Sequence, residues 1–300
     1  MGPLKIKKPK VLLFDLSGTV TKASFIDGVL FPYIRTNIST YFTENWDTDL
    51  VKTDVDNMRK MSKLKPDTPK IGEGLSREKE IKAIGDFVKY CMEKNFDCRE
   101  LSILRFNIWF DGYKRGRLET PVYSDVAVQL KKWQTELSIK LFVMSNGWSE
   151  ATKRFLAKTN HGDLNILIEN HFDPRLGDLT KKETFVKALQ SINQKPDEAL
   201  FLTKDGAEGN AAKQAGLNVI LVLTHRRNIT KLEPAHQKLP RVRSFNEIDF
   251  TGSKVEKSKK NQLNLLVVLE LVRQQSVPMP NRSSQNRHRT LKNEYRIQKK

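Results

Sequence analysis

The stretch VLLFDLSGTVT, residues 11–21, decides the fold of this chain. Its four leading apolar residues predict a short strand that is buried on both faces of a parallel sheet. Asp15 follows where this strand ends, and the Gly and hydroxyl residues after it predict a tight polar turn. Ligands of open α/β sheets bind outside the carboxyl ends of the strands, so Asp15 lies where a carboxylate that attacks a phosphate should be. Two residues later, where a second acid would help to hold a metal ion, the chain has Ser17.

Three further apolar runs have the length of buried strands, and helical patterns lie between them. They are residues 139–144, 199–203 and 218–223. The helix before the last two of these runs opens with Thr180 and Glu183, which predict a capping box. The alternation of strands and helices predicts an α/β fold with a Rossmann-like, doubly wound parallel sheet.

The segment 22–120 interrupts this alternation, because it combines long polar and helical stretches with no clear strand. We expect a helical cap at residues 22–120, inserted into a core formed by residues 1–21 and 121–252. Covering the site as a lid is the natural role of such an insertion. The alternative is a second packing domain that does not gate the site.

The composition predicts a globular chain in a reducing compartment. Of 300 residues, 38% are hydrophobic, and no run reaches the roughly 18 apolar residues that a membrane span needs. The two cysteines, Cys91 and Cys98, argue against a disulfide framework. We therefore expect a location in the cytoplasm, with the nucleus as an additional site.

Half of the excess positive charge is concentrated near the C-terminus. The net charge is +18, and residues 253–300 hold 12 Lys or Arg but three Asp or Glu. We expect a basic, largely disordered tail that contains one short apolar helix at residues 263–272. A solvated tail is one interpretation; contact with RNA, anionic lipid or an acidic protein is the other.

The second predicted strand is followed by the sequence Ser145-Asn146-Gly147. A hydroxyl, an amide side chain and free backbone N–H groups can hold phosphate oxygens. These three residues are therefore candidate phosphate ligands. The alternative is an ordinary helix N-terminal turn, in which Ser149 would be the cap.

Two more loops carry charged candidates. Lys181 and Lys182 open a predicted helix, where a buried lysine could pair with both a nucleophilic Asp and a phosphate. Asp205 and Glu208 follow the strand at 199–203, where an acid would help Asp15 to bind Mg²⁺. Surface lysines are the alternative for the first pair.

Asp, Ser/Asn, Lys and acid at four successive strand ends form a specific combination. It resembles the haloacid-dehalogenase superfamily of aspartate-nucleophile phosphatases. Over about residues 9–252 the chain is also similar to the enolase-phosphatase (acireductone synthase) family within that superfamily. The matching residues are 15–21, Phe25, 30–33, Trp109, Gly116, Ser145, Gly147, 162–164, 171–173 and 201–203.

The resemblance implies a magnesium-dependent phosphoric-monoester hydrolase of methionine salvage, acting as a monomer on a small phosphorylated metabolite. The family converts 2,3-diketo-5-methylthiopentyl-1-phosphate to an acireductone and phosphate. In such an enzyme the first Asp is phosphorylated in line, and water then releases the phosphate. An Asp nucleophile divides one difficult displacement into two easier steps, and Mg²⁺ offsets the charge of the transferring group.

The resemblance aligns the nucleophile with Asp15 and the phosphate-holding pair with Ser145 and Asn146. It also aligns three functional positions of the family with substituted residues. The proton-transferring acid falls on Ser17, the family lysine on Leu179 and the metal-binding Asp on Lys204. Ser cannot replace a carboxylate as acid or base near neutral pH, and a cation at Lys204 repels Mg²⁺.

Two hypotheses follow for the function. The first is an active enolase-phosphatase, or a relative with altered metal use; in one variant the Lys204 ammonium replaces Mg²⁺ as a fixed cation beside Asp15. The second is a catalytically inactive paralogue that binds a phosphorylated ligand or a protein partner. A third and weaker hypothesis, nucleic-acid binding by residues 253–300, lacks the interleaved aromatic residues that stack on bases.

Overall fold

The structure, a computed structural model, describes residues 2–224 and 232–251. A six-stranded, all-parallel sheet in the order β4-β3-β2-β5-β6-β7 lies at its centre, and β1 and β8 form a separate parallel pair. The strands are β1 (Leu4–Lys7), β2 (Val11–Phe14), β3 (Lys140–Met144), β4 (Ile168–Phe172), β5 (Ala199–Thr203), β6 (Asn218–Val222), β7 (Arg241–Val242) and β8 (Ile248–Thr251). The predicted α/β fold with a parallel sheet is confirmed.

Helices cover both faces of this sheet, as expected for a doubly wound fold. Because side chains alternate along a strand, Leu12 and Phe14 of β2 pack into one apolar cluster, and Val11 and Leu13 pack into another. The helices are α1 (Phe31–Asn45), α2 (Asp49–Leu64), α3 (Arg77–Glu93), α4 (Arg99–Lys114), α5 (Ser124–Thr135), α6 (Ser149–Ala157), α7 (Lys182–Ser191) and α8 (Gly206–Gln214). Helix α5 lies on the first face, and α7 and α8 lie on the second.

The helices α1 to α4 follow one another between β2 and α5, after a π-helical turn at Ile26–Leu30. No strand interrupts residues 22–119, all of which are described. These helices share a third apolar cluster that extends from Phe25 to Leu118. The helical character predicted for this segment is therefore correct, whereas its boundaries as a domain and its role as a lid stay predictions.

Local signals at two helix starts were misleading. Helix α7 begins at Lys182 with Lys181 at its N-cap, and no side chain caps it, because the Thr180 hydroxyl donates to Asp178 instead. The predicted capping box is therefore wrong. Helix α6 contains Ser149 as its first residue, and the N-cap is Trp148.

Strand β4 was not predicted, because its sequence Ile-Glu-Asn-His-Phe lacks an apolar run. It forms the edge of the sheet beside β3, where one side needs no strand partner. Within residues 2–224 and 232–251, no helix is long and apolar enough to cross a membrane. The predicted basic tail at 253–300, with its apolar segment at 263–272, lies outside the described residues.

Candidate functional site

Three neighbouring strands bring the candidate residues to one edge of the sheet. Strand β2 pairs with β3 on one side and with β5 on the other, and Phe14 lies opposite both Val143 and Leu202. Asp15 follows β2 directly, and the chain segments after β3 and β5 start with Ser145 and Lys204. All three therefore leave the sheet at its carboxyl edge, the usual ligand site of this fold class.

Asp15 is a buried carboxylate with hydrogen-bond donors around it. Its side chain and backbone are 8% exposed, and its backbone N–H donates to Leu202 O at 3.0 Å. Burial raises the pKa of the carboxyl to about 6. The Leu16 backbone N–H, the charge of Lys204 and the Ser145 hydroxyl each lower that pKa, because they stabilise the ionised form.

The loop after β3 points two polar side chains at two different carboxylates. The Ser145 hydroxyl lowers the pKa of the Asp15 carboxyl and accepts from the Gly147 backbone N–H at 3.1 Å. The Asn146 side-chain amide donates to Glu208 Oε1 at 3.0 Å. The structure therefore brings Ser145, Asn146 and Gly147 next to Asp15, as the sequence predicted, although Asn146 is already engaged with an acid.

Glu208 is the second buried carboxylate of the site. It lies in the first turn of α8, where the Thr203 hydroxyl donates to Oε2 at 2.8 Å and Asn146 donates to Oε1. Burial, and after it the negative charge of Asp15, raise the pKa of Glu208 to about 7. The hydrogen bond from Thr203 acts in the opposite direction. Glu208 and Asp15 therefore influence each other electrostatically across the edge of the sheet.

Asp205 caps the N-terminus of helix α8 at the same edge of the sheet. It is the exposed N-cap of α8, and its Oδ1 accepts from the backbone N–H groups of Ala207 at 2.8 Å and Glu208 at 3.1 Å. These two bonds satisfy donors that a helix start otherwise leaves unpaired. The carboxylate is thus oriented towards α8 rather than towards Asp15.

Lys204 is the cation that the structure brings to Asp15. Its aliphatic chain crosses Gly18, such that a Cβ atom on Gly18 would lie 2.5 Å from Lys204 Cδ and 3.1 Å from Nζ. Gly18 has a φ of +80°, a left-handed conformation that glycine adopts without strain. The Lys204 charge lowers the pKa of both Asp15 and Glu208, so its ammonium group acts on both carboxylates.

The other substituted positions carry no charge towards the site. Ser17 is half-buried and pairs with Thr21 in an isolated bridge within the turn after β2. Leu179 is 3% exposed and belongs to the apolar cluster under α7. Lys181 and Lys182 are exposed at the start of α7, where the charge of Lys181 lowers the pKa of Asp178.

The side chains around Asp15 do not provide the ligands for the magnesium ion that the resemblance implies. Mg²⁺ requires a nearly octahedral set of oxygen ligands. Within the described ranges, no group of three or more His, Cys, Asp or Glu side chains is placed to hold a metal ion, so Asp15, Asp205 and Glu208 do not form such a group. Both oxygens of Glu208 already accept hydrogen bonds, and the charge of Lys204 acts on Asp15.

An aromatic cluster next to the 145–147 loop was missed from the sequence. Trp148 follows Gly147 and is 41% exposed, yet its ring lies 5.3 Å from the ring of Phe106 and 5.7 Å from that of Phe110. Arg154 of α6 stacks on Phe110 at 4.4 Å from the ring centroid. The available signal was a tryptophan directly after the loop glycine, but its partners on α4 are about 40 residues earlier in the chain.

Comparison with known proteins gives one consistent group of relatives. The chain is 34% identical over 215 residues to enolase-phosphatase E1 of Drosophila mojavensis, covering 71% of this chain and 84% of that protein. It is 31% identical to enolase-phosphatase E1 of Anopheles gambiae, covering 83% and 85%, and 32% identical to that of Xenopus tropicalis, covering 81% and 96%.

The structural comparison agrees with the fold. The crystal structure of the Unknown transcript 4 protein of Saccharomyces cerevisiae superposes with a TM-score of 0.62 at 22% identity. The match covers 80% of this chain and 100% of the yeast protein. No protein-family model matches the chain.

Proposed function

The chain belongs to the enolase-phosphatase E1 family, and from that premise we propose that its Asp15 edge binds the phosphate of a small phosphorylated metabolite. Three donors support this proposal: the Ser145 hydroxyl, the Asn146 backbone N–H and the Lys204 ammonium; the Ser145 and Gly147 backbone N–H groups already donate to Phe172 O and Ser145 Oγ. Hydroxyl, backbone N–H and ammonium groups are the usual phosphate ligands of proteins. The family substrate, 2,3-diketo-5-methylthiopentyl-1-phosphate, is the first ligand to test.

The observation that carries this proposal is the placement of Ser145 and Lys204 after the two strands that flank the Asp15 strand, where both lower the pKa of this buried carboxylate. In an aspartate-nucleophile phosphatase that carboxylate lies against the phosphorus of the ligand. The groups that hold Asp15 would therefore also reach the phosphate oxygens. This geometry supports recognition of a phosphate more directly than it supports its transfer.

We infer that the family reaction itself is lost, and that the protein is a binding paralogue. The observation that favours this is the absence of a carboxylate at Ser17, together with a donor set that does not fit Mg²⁺. Enolisation needs a group that moves protons near neutral pH, and a serine hydroxyl stays protonated there. Without a carboxylate at position 17, Asp15 lacks the neighbouring acid that the family uses for turnover.

Isothermal titration with the phosphorylated metabolite and with inorganic phosphate tests the proposed binding. The Ser145→Ala variant should bind phosphate about tenfold more weakly, because a hydrogen bond to a charged group contributes roughly 1.5–3 kcal/mol. Ser39→Ala, at an exposed hydroxyl on α1, is the matched control and should bind like the unmodified protein. Equal affinities of the Ser145→Ala variant and the unmodified protein would contradict the proposal.

The second candidate function is a phosphatase that retains Asp15 as its nucleophile. Phosphate release by purified protein, with magnesium and with a chelator, should not exceed that of the Asp15→Asn variant if the protein only binds its ligand. Turnover above this control in either buffer would favour the enzyme. The double variant Ser17→Glu with Lys204→Asp should gain magnesium-dependent turnover if only these two positions separate the chain from activity.

The remaining expectations have no structural support of their own. A cytoplasmic or nuclear location and a monomeric state stay predictions from the composition and the resemblance. An anionic partner of the basic segment 253–300 also stays a prediction, because that segment lies outside the described residues.

A further inference from the structure

The position of the Lys204 side chain requires an explanation. A lysine after the end of a strand usually extends into water, because its ammonium group is strongly hydrated. Lys204 instead lies against the Gly18 backbone, on the side where any larger residue would place its Cβ atom. The turn after β2 therefore leaves a slot, and the aliphatic part of Lys204 occupies it.

The acids at the sheet edge leave Lys204 as the cation through which an anionic ligand could bind there. Asp15 and Glu208 are both buried, 8% and 7% exposed, and Asp205 adds an exposed carboxylate nearby. A phosphate that approached these acids would need a cation between them and itself. The charge of Lys204 lowers the pKa of Asp15 and that of Glu208. Of the lysines 181, 182 and 204, Lys204 alone has this effect.

An ammonium group and a divalent cation cannot share one position beside Asp15. The ligands that could hold magnesium are also engaged: Asn146 and Thr203 donate to Glu208, and Asp205 caps α8. The same hydrogen bonds hold the carboxylates of Glu208 and Asp205 in place. The lack of fit to magnesium therefore goes together with the presence of a lysine at this edge of the sheet.

We propose that Lys204 is the resident cation of this site: its ammonium group binds a phosphate dianion together with Ser145, without magnesium, and keeps magnesium out. The proposal rests on the phosphate binding proposed above. It assigns the ligand class, a phosphate monoester or inorganic phosphate in its metal-free form. No covalent step is needed, because the lysine holds the ligand by charge and hydrogen bonding.

Titration of inorganic phosphate into the full-length protein, in chelator and in magnesium, tests this assignment. The unmodified protein should bind phosphate equally well in both buffers. Lys204→Met, which keeps the aliphatic chain in the slot, should weaken binding about tenfold or more. Lys204→Arg should retain most of the affinity, and Lys213→Met, at an exposed lysine on α8, should retain all of it.

A second measurement does not depend on phosphate. Magnesium should not raise the melting temperature of the unmodified protein, whereas it should raise that of the Lys204→Asp variant, which offers a carboxylate at the same position. Circular dichroism of each variant checks that it is folded. Magnesium stabilisation of the unmodified protein, or full phosphate affinity in Lys204→Met, would overturn the inference.

The outcomes separate this inference from the proposed function. Phosphate binding that appears only with magnesium overturns the role of Lys204 and leaves the proposed phosphate site intact. No phosphate or metabolite binding in either buffer overturns both. Binding in chelator that is lost in Lys204→Met supports both.

Discussion

Glu208 makes the stability of this protein dependent on pH near neutrality. Its folded pKa is about 7, against an ordinary value of 4.5, because burial and the charge of Asp15 disfavour the ionised form. The folded protein therefore holds a proton that the unfolded chain has already released. A group of this kind stabilises the fold at low pH, and its contribution is lost as the pH rises from 4.5 to 7.

The Glu208→Gln variant should remove the contribution of Glu208 to this dependence and leave that of Asp15, whose pKa burial raises to about 6. In the unmodified protein the ionisation of Glu208 costs roughly 3 kcal/mol of unfolding free energy between pH 4.5 and pH 7. Glutamine cannot ionise, so the stability of the variant should fall much less over that range. Urea unfolding at several pH values measures it. Glu183→Gln, at an exposed position on α7, is the control. If the unfolding free energy of this control changed as little with pH as that of Glu208→Gln, the explanation would be refuted.

Gly18→Ala should destabilise the protein for two separable reasons. The φ of +80° strains any residue with a Cβ atom, and that atom would also meet Lys204 Cδ at 2.5 Å. We expect a loss of about 1–3 kcal/mol in thermal unfolding. Gly116→Ala is the matched control, because Gly116 has a φ of +69° but open space around its Cβ position. Equal losses in the two variants would show that Lys204 does not press on Gly18.

At the scale of elements, the aromatic cluster of Trp148, Phe106 and Phe110 joins α4 to the loop that carries Ser145. The Trp148 and Phe106 rings meet edge to face, with an interplanar angle of 69°. Such pairs contribute energy beyond their buried area because the positive ring edge meets the negative ring face. The 145–147 loop is therefore anchored to α4 through Trp148, the residue that follows it.

A double-mutant cycle of Trp148→Ala and Phe106→Ala should give a coupling energy of about 0.5–1.5 kcal/mol in urea unfolding. The direct contact between the rings is the reason, since independent sites add their effects. A cycle of Trp148→Ala with Val128→Ala, an exposed side chain on α5, should give a coupling near zero. A similar near-zero value for the Phe106 cycle would contradict the anchoring of the loop.

Strands that are buried throughout could be predicted from the sequence, and strands that are partly exposed could not. Strands β2, β3, β5 and β6 are buried nearly throughout, so their apolar runs were visible in the sequence. Strand β4 lies at an edge, and the pattern of β1 alternates half-buried and exposed residues, so neither has such a run. Helix α7 kept its predicted position, but local hydrogen bonds from the Thr180 and Thr184 hydroxyls to Asp178 replaced the predicted capping box.

At the scale of the whole molecule, the strand order explains which lysine reaches Asp15. Lys181 and Lys182 follow β4, which is separated from β2 by β3, whereas Lys204 follows β5, the direct neighbour of β2. The sequence showed that Asp15 and Ser145 end adjacent runs, which was enough to predict their meeting. It could not rank the lysines, because that ranking depends on the order in which the strands pair.

The parallel pair β1–β8 has a consequence for the folding of the chain during its synthesis. Leu4 pairs with Ile248, so β1 is completed by a strand that is synthesised about 244 residues later. At the usual synthesis rate of about 5–20 residues per second, β1 waits on the order of ten to fifty seconds for its neighbour. During that interval its backbone can pair with other nascent chains. Chaperones that shield emerging polypeptides should therefore bind this protein early and release it late.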